Sequence, residues 1–336
     1  MIEIDGSILE GGGQIIRTAI ALSCITNKQI RVYNIRAKRD KPGLRAQHLH
    51  AIKAASELCS AEVEGLKIGS MDIRFLPGKI KGRTLNIDIG TAGSISLLLQ
   101  CLIPICVFAD DKVRLKIRGG TENLNAPCID YVRFVILPML EKMGVKVKVK
   151  LLRRGYYPMG GGFVEVFTEP VNDGQPLNLV DQGELVEILG ISNASNYLKK
   201  ANVAERQEKA ARQFLVNKFL CPIKINAEYW NSLCAGSSIT LWAKTSSGAI
   251  IGADALGERG KRSEEVGKEV AEKLIREIKS NSPVDVHLAD NLILWIALFG
   301  GKIKVSEISL HTKTNIFICE EILGKKFKLD GNVIEC

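Results

Sequence analysis

No CxxC pair occurs among the nine cysteines of this 336-residue chain. Scattered mostly through apolar stretches and odd in number, they argue against a disulfide framework and against a thiolate zinc site, so a reducing cytoplasm is the expected setting. Also lacking is an apolar run able to cross a bilayer: the longest, 94–109, is broken by Gln100 and Pro104. The opening residues MIEIDGSILEGGG have neither the basic start nor the apolar stretch of a secretory signal, so neither export nor membrane association is expected. The Walker pattern and GxGxxG are missing too, which excludes the commonest nucleotide-binding signatures.

Apolar residues make up 46% of the chain, enough for a sizeable core, and the length suggests roughly two to three domains. A formal charge of +9 favours an anionic partner without naming one; nucleic acid, nucleotide and mere solubility all fit.

Internal repetition is the most informative feature. At an offset of 83 residues, LNIDIGTAGSISLLLQCLIP (85–104) lies over IEIDGSILEGGGQIIRTAIA (2–21), placing Gln100 on Arg17, and RLKIRGG (114–120) lies over RVYNIRA (31–37). A helix-period segment follows each: Leu44, Leu49, Ile52, Ala55 and Leu58 share one face, as do Ile129, Val132, Ile136, Met139 and Met143. A third copy, read as strand, helix, strand, loop, helix, strand, runs over 284–331. The copies start near 2, 85 and 284, so on the order of a hundred residues are inserted before the third. The insertion is placed at 181–280, entered through EPVNDGQP and left through SNSP. Inside it the pattern reads strand (LVEILGIS), helix from Lys199 to Phe219, strand (PIKINAEYW), strand (SSITLWAK) and a closing helix from Glu264 to Ile278. The expected architecture is two-layer α/β, with residues 1–180 plus 281–336 as a large domain and 181–280 as a smaller one. The loops around Arg36, Thr121 and His311 are expected to converge on one site.

Glycine-rich joints EGGGQ (10–14), GTAGS (90–94) and GGTEN (119–123) sit where strands hand over to helices. Such joints let a phosphate approach the backbone; each taken singly reads more simply as a tight turn, and it is their recurrence at the same repeat position that points to the phosphate. His311, in SLHTKTN, stands before a helix with Thr312, Thr314 and Asn315 as candidate caps. Imidazole is largely neutral at pH 7, and a neutral ring nitrogen can attack the α-phosphorus of ATP to give a reactive phosphoramidate; a structural histidine is the alternative. Basic residues cluster in RAKRDKPGLRAQHLH (36–50), where arginine forks suit a terminal phosphate, or where the run is simply solvated. The lysines of KVKVKLLRR (146–154) read most simply as protection of an edge strand. Glu10 and Asp290 are candidate ligands for the divalent ion that ATP chemistry requires, or helix-cap carboxylates.

In order and spacing, EGGGQIIRTAIALS, IRAKRDKPGLRAQHL, IGTAGSISLLLQ, GGTENLNAP, RRGYYPMGGG, HLADNL and HTKTNI resemble the RNA 3′-terminal phosphate cyclase family over nearly the whole chain. That resemblance implies a large domain of three βαβαββ units, like the C-terminal domain of a bacterial translation initiation factor and akin to the enolpyruvyl transferases. A smaller thioredoxin-like domain is implied before the last unit, whose final strand is short or missing here. It further implies an ATP-dependent enzyme that uses Mg²⁺ or Mn²⁺ and acts on RNA with a 3′-phosphate end. A histidine is adenylylated, the AMP passes to the RNA 3′-phosphate, and the vicinal 2′-OH displaces AMP to leave a 2′,3′-cyclic phosphate. Carried over by motif, His311 is the nucleophile; Gln100, Pro127, His287, Leu288, Ala289, Asp290 and Asn291 contact the nucleotide; Glu10 serves the metal. Arg17, Arg36, Arg39, Gln47 and His48 match the phosphate end of the RNA. His287 departs from the tyrosine of some relatives, which keeps a ring for adenine but weakens the stack.

Two rivals share the architecture. Relatives that lack the histidine act as RNA-binding factors, and enolpyruvyl transferases act on small acids. The presence of His311 with HLADN favours an enzyme over the first, and the basic loop at 36–45 favours RNA over the second.

Overall fold

Short strands with one buried and one exposed face alternate with helices that cover them, giving a mixed α/β architecture with four four-stranded sheets in the computed structural model, which describes residues 1–336. In the first sheet β1 (Ile2–Asp5) and β2 (Ile30–Tyr33) are parallel, while β3 (Glu62–Glu64) and β4 (Ile73–Leu76) complete the order β1-β2-β4-β3 antiparallel. Helix α1 (Gly13–Thr26) links β1 to β2, and α2 (Ala46–Cys59) follows β2.

The second sheet takes the order β5-β6-β8-β7 from β5 (Thr84–Asp88), β6 (Val113–Gly119), β7 (Val147–Arg153) and β8 (Gly162–Thr168). Helix α3 (Ile95–Val107) joins β5 to β6. After β6, α4 (Ile129–Tyr131) and α5 (Leu137–Glu141) are joined by one π-helical turn, Val132–Ile136; Pro138, which has no N–H, interrupts the regular ladder just there. All five residues of the predicted apolar face over 129–143 are buried. Strand β7 is indeed an edge strand, with Lys146, Lys148 and Lys150 exposed.

Strand β9 (Leu177–Leu179) opens a third sheet that is completed only after residue 280. Between them comes the fourth sheet, β11-β10-β12-β13, made of β10 (Leu185–Ser195), β11 (Ile223–Trp230), β12 (Ser237–Thr245) and β13 (Ile250–Leu256), with α6 (Val203–Val216) and α7 (Ser263–Lys279). The sequence pattern had no strand at β13, and it started α6 at Lys199. Asn202, at φ 49°, breaks a short 3₁₀ turn (Asn196–Ala201) from α6, which fixes the later start. The third sheet, β15-β16-β14-β9, then adds β14 (Gly301–Lys304), β15 (Lys328–Asp330) and β16 (Val333–Glu335), with α8 (Val286–Phe299) and α9 (Leu310–Leu323).

The expectation of a strand at 284 is corrected. Val284 makes only an isolated bridge to Val305, because Asp285 caps α8 by accepting from the N–H groups of His287 and Leu288. The strand that pairs parallel to β14 is β9, on the far side of residues 181–280 in the chain. The final strand, β16, is short but present.

One hydrophobic cluster of 71 buried residues runs through the first three sheets and their helices, and a separate one of 15 fills the fourth. Helix α1 packs on α2, α3 and α9, and α8 packs on α9; the first turns of α1 and α9 meet through Gln14 and His311. Each fully buried Leu or Ile there contributes about 1.5–3 kcal/mol relative to exposure. Polar contacts tie the second and fourth sheets: fully buried Arg154 reaches Glu122 at 2.6 Å, Asp130 at 2.5 Å and Glu228 at 2.6 Å.

Candidate active site

His311 lies inside the first turn of α9, and the cap is Ser309, whose Oγ accepts from the Thr312 N–H at 3.0 Å. The three residues expected as caps do other work. Thr312 donates to Asp290 Oδ1 at 2.6 Å, Thr314 to the Leu310 carbonyl at 2.6 Å, and Asn315 to the Asp290 carbonyl at 2.7 Å. Facing the ring is Gln14, at the start of α1: its Nε2 donates to the His311 carbonyl at 2.9 Å and its Oε1 bonds the ring Nδ1. An amide oxygen can only accept, so Nδ1 carries the proton and Nε2 keeps its lone pair. Burial lowers the His311 pKa; Arg17, Arg39 and His287 push the same way, against Asp290. The ring is therefore neutral at pH 7, the state in which an imidazole nitrogen has a lone pair to offer.

Glu10 sits beside it, with Oε2 3.9 Å from Nδ1 of His311 and Oε1 paired with Arg39. Oε2 is buried and has no hydrogen-bond partner. Gly12 makes this approach possible, since a Cβ there would fall 1.9 Å from that oxygen.

His311 opens onto a cleft of about 420 Å³, within the range of small-molecule sites. Gln100, Pro127, His287, Asp290 and Asn291 line it together. Gln100 is a polar residue on the mostly apolar α3, and its Nε2 donates to Asn291 Oδ1 at 2.9 Å. Exposed His287 stands edge-on to Tyr131, with ring centroids 6.3 Å apart. Leu288 and Ala289, by contrast, are fully buried in the main core and do not line the cleft. Burial raises the Asp290 carboxyl, while Thr312 and Ser309 hold it down.

A basic recess adjoins the cleft. Arg17 lines both the cleft and a smaller cavity of about 50 Å³ behind it. Burial lowers its pKa to about 10, and its Nε has no partner. Arg36, at φ 55°, donates Nη1 to the Lys41 and Gly43 carbonyls, so its charge too lacks a carboxylate. His48 is pulled down to about 3 by burial and by Arg17, Arg36 and Arg45. Its Nδ1 accepts from the Arg45 N–H at 3.1 Å, leaving the proton on Nε2, beside Gly13. Arg17 and Arg36 thus form one electropositive group, beside which the neutral His48 ring offers its Nε2–H as a donor. Arg39 belongs to the Glu10 side, and Gln47 is a tether whose Oε1 accepts from the Ser94 N–H of the GTAGS joint at 3.2 Å. Of the three loops expected to converge, those of Arg36 and His311 do meet around Arg17. Thr121 is buried against Gly155, and Asn123, Leu124 and Asn125 line the cleft in its stead.

Several cleft residues were not singled out from sequence. Gln14 was visible only as the residue ending EGGGQ, and Tyr131 carried no signal of its own beside the apolar face of Ile129 and Val132. Asp254 on β13, Lys273 on α7 and Lys261 between them reach the cleft from the fourth-sheet unit, with no motif to mark them. No group of three or more His, Cys, Asp or Glu side chains is close enough to hold a metal by itself.

A family model described as RNA 3′-terminal phosphate cyclase matches residues 8–329. The RNA 3′-terminal phosphate cyclase of Pyrococcus abyssi is 47% identical over 333 residues, spanning 99% of this chain and 96% of that protein. The protein of the same name from Pyrococcus furiosus is 47% identical, spanning 100% of this chain and 97% of its own length. That of Archaeoglobus fulgidus is 45% identical, with 99% of both chains covered.

Proposed function

The chain belongs to the RNA 3′-terminal phosphate cyclase family, and from that premise we propose that it converts an RNA 3′-phosphate into a 2′,3′-cyclic phosphate at the expense of ATP. Nε2 of His311 attacks the α-phosphorus of ATP, forming a phosphorus–nitrogen bond and releasing pyrophosphate. An oxygen of the RNA 3′-phosphate then takes the AMP, freeing the ring. The neighbouring 2′-OH loses its proton and attacks the 3′-phosphorus, and AMP leaves. Activation supplies a good leaving group, and the last step gains the advantage of an intramolecular reaction.

The observation that carries this reading is the neutral His311 ring, its Nδ1 bonded to Gln14, at the mouth of a cleft sized for a nucleotide. Gln100, Pro127, His287, Asp290 and Asn291 are the proposed nucleotide contacts; Leu288 and Ala289 support them from the core. Arg17, Arg36 and His48 receive the RNA phosphate, with Arg39 and Gln47 at its margin. Glu10 fits Mg²⁺ or Mn²⁺ through its unpartnered buried oxygen, and such an ion takes few protein ligands when phosphates supply the rest. When bound, the ion neutralises charge on the triphosphate.

We further propose that the large domain, 1–180 plus 281–336, holds three βαβαββ copies, supported by the shared strand order of the first three sheets. The segment 181–280 is then an inserted thioredoxin-like domain, supported by its parallel β10/β11 pair flanked by antiparallel β12 and β13. Nine free cysteines support a reducing, cytoplasmic setting.

Incubation with α-labelled ATP and Mg²⁺ or Mn²⁺ tests the chemistry. Acid-labile, alkali-stable label should appear on the protein and be absent from His311→Ala. Absence of label on the intact protein leaves the RNA-binding or enolpyruvyl-transfer readings in its place.

A further inference from the structure

Away from the cleft, the outer face of the second sheet differs from that of the first. Its inner face is closed by Leu115, Ile117, Val164 and Val166, all fully buried, so alternate residues of β6, β7 and β8 point to solvent. Across the central pair, Arg114 lies opposite Phe167, Lys116 opposite Glu165 and Arg118 opposite Phe163. On the edge strand, Lys148 and Lys150 stand opposite Phe167 and Glu165. The guanidinium of Arg114 lies 5.1 Å from the Phe167 ring and that of Arg118 5.5 Å from the Phe163 ring, two cation–ring pairs side by side on one sheet.

Charge balance sets this face apart. On the strands themselves Arg114, Lys116, Arg118, Lys148 and Lys150 are accompanied by Asp88 and Glu165, with Glu165 engaged by Arg114 at 2.9 Å; Glu141 and Glu169 lie at the rim beside Arg114 and Lys148, where Glu169 pairs with Lys112. On the first sheet the corresponding arginines are neutralised: Arg31 by Asp72 at 2.6 Å and Glu3 at 3.1 Å, and Arg74 by Glu64 at 3.3 Å. A depression of about 410 Å³ lined by Asn86, Asp88, Lys116, Arg118 and Phe163 gives the face some concavity.

The position of the face relative to the site gives it a use. The Arg118 carbonyl accepts from the Ile89 N–H at 3.0 Å, at the foot of the GTAGS joint. That joint is held by Gln47, the neighbour of His48 in the basic recess. The face therefore begins where the recess ends.

We infer that the outer face of the second sheet is a platform for single-stranded RNA, holding nucleotides on the 5′ side of the terminal phosphate. Lys116, Lys148 and Lys150 meet the phosphodiesters, and unpaired bases stack on the Arg–Phe pairs. Single-stranded RNA is the occupant because flat guanidinium and ring surfaces reward unstacked bases, while the uncompensated lysines reward a polyanion. The inference rests on the cyclase reading, and its test separates the two.

The triple reversal Lys116→Glu/Lys148→Glu/Lys150→Glu would be compared in the full chain with the intact protein and with a control, Lys200→Glu/Lys209→Glu/Lys218→Glu, which changes net charge equally at exposed sites on the fourth-sheet unit. Self-adenylylation with labelled ATP and cyclisation of a 3′-phosphorylated dinucleotide report the active site alone, and both should be unchanged in both variants. With a 3′-phosphorylated 20-mer, KM should rise at least about tenfold in the sheet variant only, and the salt dependence of binding should flatten by about one unit of slope per lysine. Milder Lys148→Ala/Lys150→Ala, which leaves both central strands intact, should move KM in the same direction. Equal KM for the 20-mer in all proteins overturns the platform, as does an equal rise in the control, which would make bulk charge the cause. A change of oligomeric state in the sheet variant alone would make a second copy the occupant and overturn it too. Loss of self-adenylylation by the intact protein would instead strike the cyclase reading.

Discussion

Arg17 and Arg154 are both set into the protein, and the structure treats their charges in opposite ways. Arg154 is wholly enclosed, with Glu122, Asp130 and Glu228 within 2.6 Å and the Trp230 ring 5.3 Å away. Those carboxylates hold its pKa well above the ordinary value despite burial. Arg17 makes no ion pair with any carboxylate, and it is depressed to about 10 by burial with Arg36 adding to the effect; an unpartnered Nε is common to both arginines. A buried charge that brings its own counter-charges is architecture: it ties the second sheet to the fourth. A charge left uncompensated at a cavity wall is paid for elsewhere in the fold, and such a site gains most from an anion that arrives from outside.

The contrast breaks most readily at Arg154. Arg154→Met leaves Glu122 and Asp130 enclosed without their cation, and truncating one partner of a buried pair costs about 3–5 kcal/mol. Urea unfolding should register that loss, and adding Glu122→Gln and Asp130→Asn should recover much of it. A cost below about 1 kcal/mol would show that the cluster does not hold the junction. Arg17→Gln should behave in the opposite manner. Stability should stay within about 1 kcal/mol of the parent, because no ion pair is lost. Transfer of AMP from the protein to a 3′-phosphorylated RNA should slow by roughly 10²–10³, the loss typical of removing one charge-stabilising donor. Single-turnover measurement from the preformed adenylate isolates that step. A destabilisation like that of Arg154→Met, with transfer intact, would make Arg17 a structural residue.

How much of this was legible beforehand depended on whether a signal was local. The 83-residue offset marked the shared pattern of the first two sheets because strand and helix periods are local, and Gln100 stood out as a polar residue in an apolar helix. The third sheet was misread at its start because β9 is separated from its partner β14 by the whole 181–280 segment, and no local pattern joins them. Val284 and Val286 suggested a strand by composition, yet the Asp285 cap decided for a helix. The HLADN motif implies Leu288 and Ala289 as nucleotide contacts along with their neighbours, but α8 turns them to the core while it presents His287, Asp290 and Asn291 to the cleft. Gln14 carries no local signal, because its value lies in a partner 297 residues away. The pairing of Arg39 with Glu10 could not be read from charge alone, since five basic residues in 36–45 are equivalent on paper.

His48 gives the contrast its finest test, because its state reports on the uncompensated arginines. The ring titrates at about 3 in the folded protein, lowered first by burial and then by Arg17, Arg36 and Arg45. In the unfolded chain it titrates near ~6.5. Between those values the unfolded state binds one more proton than the folded state, so lowering the pH favours unfolding by about 1.4 kcal/mol per unit from this group. The contribution is absent above about pH 6.5 and grows as pH falls toward 3. Acidic groups add slopes of their own, so the informative quantity is the difference between the parent and His48→Gln, followed by urea unfolding from pH 7.5 to 5. The variant should lose acid sensitivity relative to the parent only below about pH 6.5. In Arg17→Gln the His48 pKa should move up from its folded value, shortening the window over which the penalty accrues. Parallel pH profiles for the parent and His48→Gln would mean that the ring protonates in place, which an uncompensated arginine beside it does not permit.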